Sequence, residues 1–569
     1  MHYSHLWFAS LILGTSLAAN NLASNIVDLK YASYKGLKDH TQGVIQYYGI
    51  RYAEPPTFDH RWKAPIPVAK FPSSNPPMLN ATSPGPQCMQ VIPPWQTAGI
   101  ASIGMDPSSY SASKNLHSSE DCLFLDVLVP ESRKSSSLPV VVMIHGGGYV
   151  IGKKTESDGT GFVSASNGSV IWVQIQYRLG PYGFLAGGEI QSEGSSNVGL
   201  LDQRAALLWV QENIHHFGGD PSKVTIWGTS AGGGSVTMQM MLNGGDPNPP
   251  FRAAISEYPW WQSFHGEETI ENQYRSLLQA AGCQSLSCLR NISSESLLNA
   301  SLSSYGSAYM NGDFGYGDYF FGPTVDGTII HGLPSEEFSS GRFSKVPLLV
   351  DHNSLEGLLF SNFSITSQFE SSFNLQRLWP KWTPSFISRL LELYPDRKYT
   401  GSYYDDRALQ SYSRLLPTLK NNTAFFKTQD IFGDFVINCP TYYVAAAVSD
   451  AGVPVWKLRF GAGTEVHGAT DPYLRKASNS TDNPTLSRQM KEYFLSFILY
   501  LNPNHLTAVS KPQWPNYFDK NNTFATLHIN QTSIWAGQDW DVSANCDFFK
   551  GQTSVLLNRG TAFVNWVAH

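Results

Sequence analysis

The stretch "VTIWGTSAGGGSV" (residues 224–236) interrupts an apolar run with a serine between glycines and continues in small residues that suit a helix. Gly228 and Gly232 permit the close backbone approach that a tight strand-to-helix turn requires. Ser230 would stand at that turn beside the helix N-terminus, whose dipole favours negative charge. Gly-Ser turns are also common in loops that only connect elements of secondary structure, but the strand before and the helix after favour a nucleophilic serine.

Short continuous apolar runs recur along the chain, in "LPVVVMIHGGG", "VIWVQIQYRLG", "KVTIWGTS", "VPLLVDHN" and "VPVWKLRFGAG". Such runs are typical of strands buried on both faces, and helical patterns such as "LLDQRAALLWVQENI" lie between them. The alternation predicts an α/β fold, with a central, mostly parallel twisted sheet covered by helices on both faces. Two long irregular segments, about residues 75–120 and 360–425, are predicted to be lids or binding loops over the ends of the sheet.

Composition and the N-terminus indicate the compartment. Of the 569 residues only 15% are charged, the net charge is −6, and no basic stripe is present, which argues against a nucleic-acid partner. An apolar stretch over residues 6–17, followed by small residues, predicts a signal peptide over residues 1–18 that is cleaved before Ala19. We therefore expect one secreted domain over residues 19–569, with no stable membrane span. Predicted N-glycosylation acceptors are Asn80, Asn167, Asn291, Asn299, Asn362, Asn421, Asn479, Asn521 and Asn530.

The six cysteines suit an oxidising compartment, where an even number indicates disulfides. The sequence has neither a C-x-x-C pair nor an H-E-x-x-H helix, so we predict no metal and no cofactor. Cys283 and Cys288 are expected to close a small loop, and Cys88 and Cys122 flank a Pro/Ser/Gly-rich stretch that a disulfide would close. Cys439 and Cys546 pair by elimination only, since spacing alone allows 15 connectivities.

A serine hydroxyl becomes a nucleophile only when a base takes its proton and an acid holds that base in the correct tautomer. His467 lies in a glycine-rich loop directly after the apolar run "VPVWKLRF" and is the predicted base. Asp351 and Glu356 both follow the run "VPLLV", and either carboxylate could reach the imidazole. Spacing leaves the choice of acid open.

An oxyanion formed at Ser230 would need hydrogen-bond donors. The run Gly146, Gly147 and Gly148 follows a buried strand, and its bare backbone can turn N–H groups inward. The N–H of Ala231 would supply a partner donor. A flexible glycine turn is the alternative interpretation.

Several long segments, in order, resemble the type-B carboxylesterase/lipase family of α/β-hydrolases, which includes fungal lipases and cholinesterases. "FGGDPSKVTIWGTSAGG" is similar to the serine signature of that family and "EDCLFLDVLVP" to its second signature. "QYRLGPYGFL", "NVGLLDQRAALLWVQENI" and "FGPTVDG" also resemble family segments. The resemblance extends from about residue 25 to the C-terminus and implies the α/β-hydrolase fold.

The resemblance also implies roles for particular residues. The family places its acidic residue before a glycine and three residues after an asparagine, which here gives Glu356 after Asn353, with Asp351 as the alternative. The implied oxyanion donors are Gly147, Gly148 and Ala231. The first two disulfides of the family correspond to Cys88–Cys122, which encloses a gate loop, and Cys283–Cys288.

The chain departs from the family pattern at two places. Thr229 stands before the serine, where the family usually has glutamate, and Ser256-Glu257-Tyr258 replaces the common Ser-Gly-Ser. Both departures lie near the expected acyl site. Trp260 and Trp261 follow directly and are predicted to line an aromatic acyl pocket, with an ordinary core role as the alternative.

These observations predict a secreted serine hydrolase that acts on a small-molecule carboxylic ester through an acyl-enzyme. Ser230 would attack, His467 would transfer the proton, and Glu356 would orient the imidazole. One alternative is a non-catalytic binding or adhesion protein, but such relatives typically lack the nucleophile. Another is acyl transfer to an alcohol, which needs the same residues.

Overall fold

The structure is a computed structural model that describes residues 25–68, 76–102, 118–399, 419, 421–517 and 524–551. The predicted signal peptide and Asn521 lie outside the described residues. In chain order the strands are β1 (Ile26–Asp28), β2 (Ser33–Asp39), β3 (Val44–Arg51), β4 (Met78–Ala81), β5 (Gln87–Cys88), β6 (Ser118–Ser119), β7 (Phe124–Pro130), β8 (Leu138–Ile144), β9 (Ile171–Ile175), β10 (Gly219–Thr229), β11 (Ala253–Glu257), β12 (Leu348–Asn353), β13 (Val455–Gly461), β14 (Ala525–Asn530) and β15 (Ile534–Gln538).

One large twisted sheet organises the described part of the chain. Its strand order is β1-β2-β3-β7-β9-β8-β10-β11-β12-β13-β14-β15, with β4 beside β2. Every pairing from β9 through β8 and β10 to β14 is parallel. The pairings at the two ends are antiparallel, apart from the parallel pair of β2 and β4. The apolar runs of the sequence form the parallel centre, which confirms the predicted α/β class.

Both faces of this sheet are buried. Val140, Val142 and Ile144 of β8 belong to one core cluster, whereas Val141 and Met143 belong to the other. Because alternate side chains of a strand point to opposite faces, an uninterrupted apolar run is what such a strand requires.

Helices supply the covering layers. The described helices are α1 (Pro94–Ser102), α2 (Thr160–Ala165), α3 (Gly180–Phe184), α4 (Gly188–Glu193), α5 (Val198–Asn213), α6 (Ala231–Met241), α7 (Glu267–Ala281), α8 (Leu286–Asn291), α9 (Ser294–Asn311), α10 (Pro334–Ser339), α11 (Gln368–Leu378), α12 (Pro384–Leu393), α13 (Thr423–Gly433), α14 (Cys439–Asp450), α15 (Asp471–Arg475), α16 (Pro484–Tyr500) and α17 (Ala544–Gly551). Side chains of α5, α6 and α14 enter the first cluster, and those of α2, α15 and α16 enter the second.

The helical stretch Thr423–Asp450 joins α13 and α14 through a π-helical turn, Asp434–Asn438. It is 28 residues long and apolar enough to cross a bilayer, but 67% of its most apolar window is buried inside the protein. That burial is typical of a core helix.

The segment predicted to be irregular over residues 360–425 is partly helical, and that prediction was wrong for α11 and α12. Ser367 and Glu370 form a capping box at the start of α11. The hydroxyl of Thr383 caps α12 with Pro384 in its first turn. These N-terminal signals supply the hydrogen-bond acceptors that a helix start needs.

The six cysteines form three disulfides, which span 34, 5 and 107 residues of the chain. They link Cys88 to Cys122, Cys283 to Cys288 and Cys439 to Cys546.

Among the predicted glycosylation acceptors that the structure describes, Asn362 and Asn530 are half-buried, and the exposed ones are Asn80, Asn167, Asn291, Asn299, Asn421 and Asn479.

Candidate active site

The candidate nucleophile lies at the sharp turn between β10 and α6. Ser230 has φ 57° and ψ −124°, a backbone conformation that side-chain-bearing residues rarely adopt. A Cβ at Gly228 would lie 2.1 Å from the carbonyl oxygen of Gly232, and a Cβ at Gly232 would lie 2.0 Å from that of Ile144. Only glycine fits at these two positions, so the G-x-S-x-G pattern follows from steric necessity.

His467 reaches the serine from the loop after β13. Its Nε2 lies 2.7 Å from the Oγ of Ser230, and its Nδ1 lies 2.6 Å from an Oε atom of Glu356. Three side chains from three separate loops therefore form one continuous hydrogen-bonded chain.

Glu356 is fixed by its own loop as well as by the imidazole. Its second carboxylate oxygen accepts hydrogen bonds from the backbone N–H of Asn353 at 2.5 Å and from the side-chain amide of Asn353 at 2.9 Å. Beside it, Leu355 forms a parallel bridge with Val466. This bridge joins the loop after β12 to the loop after β13 and places Glu356 beside His467.

Asp351, the alternative acid, faces a different partner. One oxygen of its carboxyl group accepts from the backbone N–H of Tyr258 at 3.1 Å, and the other has no hydrogen-bond partner among the described residues. Burial, reinforced by the nearby Glu257 and Glu356, raises the pKa of Asp351 well above its usual range. Its surroundings therefore disfavour the charged carboxylate that would stabilise an imidazolium, whereas Glu356 contacts His467 directly.

The glycine run after β8 passes directly beside the serine. Gly147 has φ +106° and Gly148 has φ +59°, and a Cβ at Gly146 would lie 2.9 Å from the Cβ of Ser230. The carbonyl of Gly147 accepts from the N–H groups of Val150 and Ile151, which closes the turn. The turn and Ser230 line the same cavity.

That cavity has a volume of about 440 Å³ and lies over the hydrogen-bonded chain. One wall is aromatic and is formed by Trp95, Tyr319, Phe360 and Phe363. The ring of Trp95 lies 5.5 Å from that of Tyr319, and the Trp95 indole N–H donates to the backbone carbonyl of Asp318 at 2.6 Å. Polar residues also line the cavity, among them His145, Gln96 and Glu156.

The two tryptophans proposed for substrate binding occupy different places. The Trp260 ring packs 4.5 Å from Phe360 and 5.5 Å from Tyr319, directly behind the aromatic wall. Trp261 turns away, donates its indole N–H to Thr237, and lines a separate cavity of about 70 Å³. Only Trp260 lies next to the cavity that contains Ser230.

Sequence reasoning missed a polar cluster beside His467, made of Glu257, Tyr258, Thr470, Asp471 and Arg475. Tyr258, Asp471 and Arg475 also line the cavity. The departure from Ser-Gly-Ser was its only visible signal. Burial raises the pKa of Glu257 to about 7, because removing a carboxylate from water penalises its charged form. The aromatic wall was missed as well, although Trp95 lies inside the predicted gate loop and Tyr319 just before "FGPTVDG".

The arrangement can perform proton transfer coupled to nucleophilic attack. The imidazole connects a hydroxyl on one side with a buried carboxylate on the other, as general-base activation of serine requires. Within the described residues, no group of three or more His, Cys, Asp or Glu side chains could hold a metal ion.

Comparisons with known proteins agree with this chemistry. The chain matches the model of the carboxylesterase family over residues 23–543. It is 32% identical to secreted lipase 1 of Botryotinia fuckeliana over 510 residues, 83% of this chain and 84% of that lipase. It is 31% identical to lipase 2 of Geotrichum candidum over 573 residues, 93% of this chain and 97% of that lipase.

The crystal structure of Aspergillus niger EstA matches 95% of this chain and 100% of its own chain, with a TM-score of 0.77 at 26% identity. This match confirms the α/β-hydrolase fold that the resemblance implied. Together with the family match, it identifies the chain as a member of the carboxylesterase family and a carboxylic ester hydrolase.

Proposed function

We propose that this protein hydrolyses carboxylic esters through a Ser230–His467–Glu356 triad and an acyl-enzyme intermediate. The observation that carries the proposal is the unbroken chain of contacts at 2.7 Å and 2.6 Å beneath a cavity large enough for a small ester. Each group has the chemistry that its place in the chain requires.

In the proposed acylation, Ser230 Oγ attacks the ester carbonyl carbon while His467 Nε2 takes the hydroxyl proton. Glu356 keeps the Nδ1 proton in place and stabilises the imidazolium that forms. The N–H groups of Gly147, Gly148 and Ala231 stabilise the oxyanion, each donor contributing about 3 to 4 kcal/mol. His467 then protonates the leaving alcohol, and water, activated by the same imidazole, releases the acid and restores Ser230.

The cavity supports a proposal about substrate size. A volume of about 440 Å³ falls in the range of a single small-molecule ligand, and its aromatic wall favours a compact or aromatic acyl group. We therefore expect higher kcat/KM for acetate, butyrate and aryl esters than for oleate esters. A p-nitrophenyl and naphthyl ester panel from acetyl to oleoyl tests this, and a maximum at oleoyl would contradict it.

Secretion is part of the proposal. It is supported by the apolar N-terminal stretch, by the disulfides and by the relative named as a secreted lipase. Mass spectrometry of protein recovered from the culture medium should find a mature chain that begins at Ala19.

The Ser230→Ala variant tests the mechanism. Its kcat/KM for p-nitrophenyl butyrate should fall by about four to six orders of magnitude, whereas its melting temperature should stay close to that of the parent. A fluorophosphonate probe should label the parent and leave Ser230→Ala unlabelled. A loss of activity smaller than tenfold would rule out Ser230 as the nucleophile.

A further inference from the structure

Glu257 lies at the end of β11, directly beside the candidate nucleophile. It pairs with Thr229 in the parallel register of β10 and β11. Its backbone carbonyl accepts the N–H of Ser230 at 3.1 Å. The main chain of Glu257 therefore holds the strained turn from one side.

The side chain of the same residue extends to the loop that carries the imidazole. One carboxylate oxygen accepts from the hydroxyl of Thr470 at 2.7 Å, and Thr470 is only three residues after His467. The other oxygen accepts from the indole N–H of Trp227 at 2.5 Å, and Arg475 lies 3.8 Å away. Glu257 and Thr470 are both fully buried, so water does not compete for these contacts.

The next residue adds a second connection between the same two segments. The Tyr258 hydroxyl donates to Asp471 at 2.6 Å, and its ring lies edge-on to the His467 ring at 4.8 Å. Tyr258 has φ +35°, a conformation that surrounding contacts must maintain. Its N–H donates to the backbone carbonyl of Asp351 at 2.8 Å.

We infer that Glu257 is a positioning residue that sets the distance between Ser230 and His467. Its backbone carbonyl holds the serine turn, and its carboxylate, through Thr470, holds the histidine loop. One rigid residue thereby fixes both partners of the proton transfer. The inference rests on the proposed function. Its physical basis is that a misplacement of about 1 Å between reacting groups can cost about a hundredfold in rate.

The first test compares Glu257→Ala with Glu257→Gln. Glutamine can still accept from Trp227 through its carbonyl oxygen and can donate its amide N–H to the Thr470 hydroxyl, so both connections survive. We expect Glu257→Ala to lower kcat for p-nitrophenyl butyrate by about a hundredfold and to change KM by less than about threefold. Glu257→Gln should keep kcat within about threefold of the parent. An equal loss of kcat in the two variants would overturn the inference.

The second test does not alter Glu257 at all, and it decides the matter if Glu257→Ala fails to fold. Thr470→Val removes the hydroxyl at nearly constant volume, and Thr470→Ser retains it. The valine variant should lower kcat by about tenfold, whereas the serine variant should stay within about twofold of the parent. Equal kcat in the valine and serine variants would overturn the inference.

A readout beyond activity separates positioning from general weakening of the fold. The proton between His467 and Glu356 should give a low-field ¹H NMR resonance, which should shift or broaden in Thr470→Val and not in Thr470→Ser. An unchanged resonance in the valine variant would contradict the inference. If Ser230→Ala is inactive while the Glu257 and Thr470 variants match the parent, the positioning role fails and the proposed function stands; an active Ser230→Ala would refute the proposed function itself.

Discussion

Replacement of the acid by its amide, Glu356→Gln, should show how much the buried carboxylate contributes. One carboxylate oxygen lies 2.6 Å from Nδ1 of His467, and the residue is only 1% exposed. At an effective dielectric constant of about 20, two unit charges about 4 Å apart attract by about 4 kcal/mol. Loss of that attraction for the imidazolium corresponds to about a thousandfold in kcat.

The amide adds a second penalty. Its NH₂ group faces either the Nδ1 proton or, after rotation, the N–H groups of Asn353 that now donate to Glu356. In either orientation the amide NH₂ faces another N–H donor, unless His467 adopts the tautomer with its proton on Nε2. That tautomer cannot accept the serine proton, as happens when the acid of a serine triad is amidated. We therefore expect a loss of about 10³- to 10⁴-fold in kcat.

Asp351→Asn is the matched control. Burial and the neighbouring Glu257 and Glu356 raise the pKa of Asp351 well above its usual range, and an amide closely resembles the neutral acid in shape. Steady-state hydrolysis of p-nitrophenyl butyrate at pH 7.5 should show a change of less than about threefold for Asp351→Asn. A larger loss for Asp351→Asn than for Glu356→Gln would refute the reasoning and make Asp351 the acid.

Three further predictions concern the wall of the cavity. Trp260→Leu should free space behind Phe360 and raise the ratio of decanoate to acetate hydrolysis by about tenfold, since a well-placed methylene contributes about 1 to 3 kcal/mol; an unchanged ratio would show that Trp260 does not limit acyl length. Burial raises the pKa of Asp318 to about 7. The free energy of unfolding of the parent is therefore highest below about pH 4, where this carboxyl is protonated in both the folded and the unfolded chain, and it falls as the pH rises toward 7. Relative to the parent, Asp318→Asn should therefore gain on the order of 4 kcal/mol across this window, measured as the difference between urea midpoints at each pH; a constant difference would contradict it. Gly148→Ala should destabilise by about 1 to 3 kcal/mol, because its Cβ would lie 2.2 Å from the Tyr319 ring at φ +59°; Tyr319→Leu in the same chain should recover part of the loss in melting temperature.

The parts of the site that sequence could predict are those encoded in short local patterns. Ser230 needs glycines two residues before and after it, and that steric demand is visible in the chain itself. His467 stands directly after an apolar strand in a glycine-rich loop. Neither prediction requires knowledge of which segments meet in space.

The choice between Asp351 and Glu356 was different, because in the sequence both come soon after the apolar run 348–350. The structure places Asp351 inside β12 and Glu356 in the loop after it. What brings Glu356 to the imidazole is the bridge between Leu355 and Val466, which depends on the packing of two remote loops. The contact between Tyr258 and Asp471 joins positions 213 residues apart. No periodicity or composition reports such a contact.

The two helices missed over residues 360–425 show a third limit. α11 and α12 are short, and Pro380 and Pro384 lie between their apolar patterns, although α12 is clearly amphipathic and buries Ile387 and Leu390. Their starts were nevertheless encoded, since Ser367 with Glu370 and Thr383 with Pro384 are recognisable N-terminal caps. Attention to these caps, together with the amphipathic pattern of α12, would have found both helices.

The loop closed by Cys88 and Cys122 carries Trp95 onto the aromatic wall, and none of its described residues takes part in the hydrogen bonds among Ser230, His467 and Glu356. Protein made in a reducing cytoplasm would lack this disulfide. On the proposed function, we expect such protein to keep the Ser230–His467–Glu356 contacts and to hold the aromatic wall less firmly, so that it still hydrolyses activated esters in a colorimetric assay. Its measured preference among ester substrates would then reflect the redox state of the expression host and not the native protein.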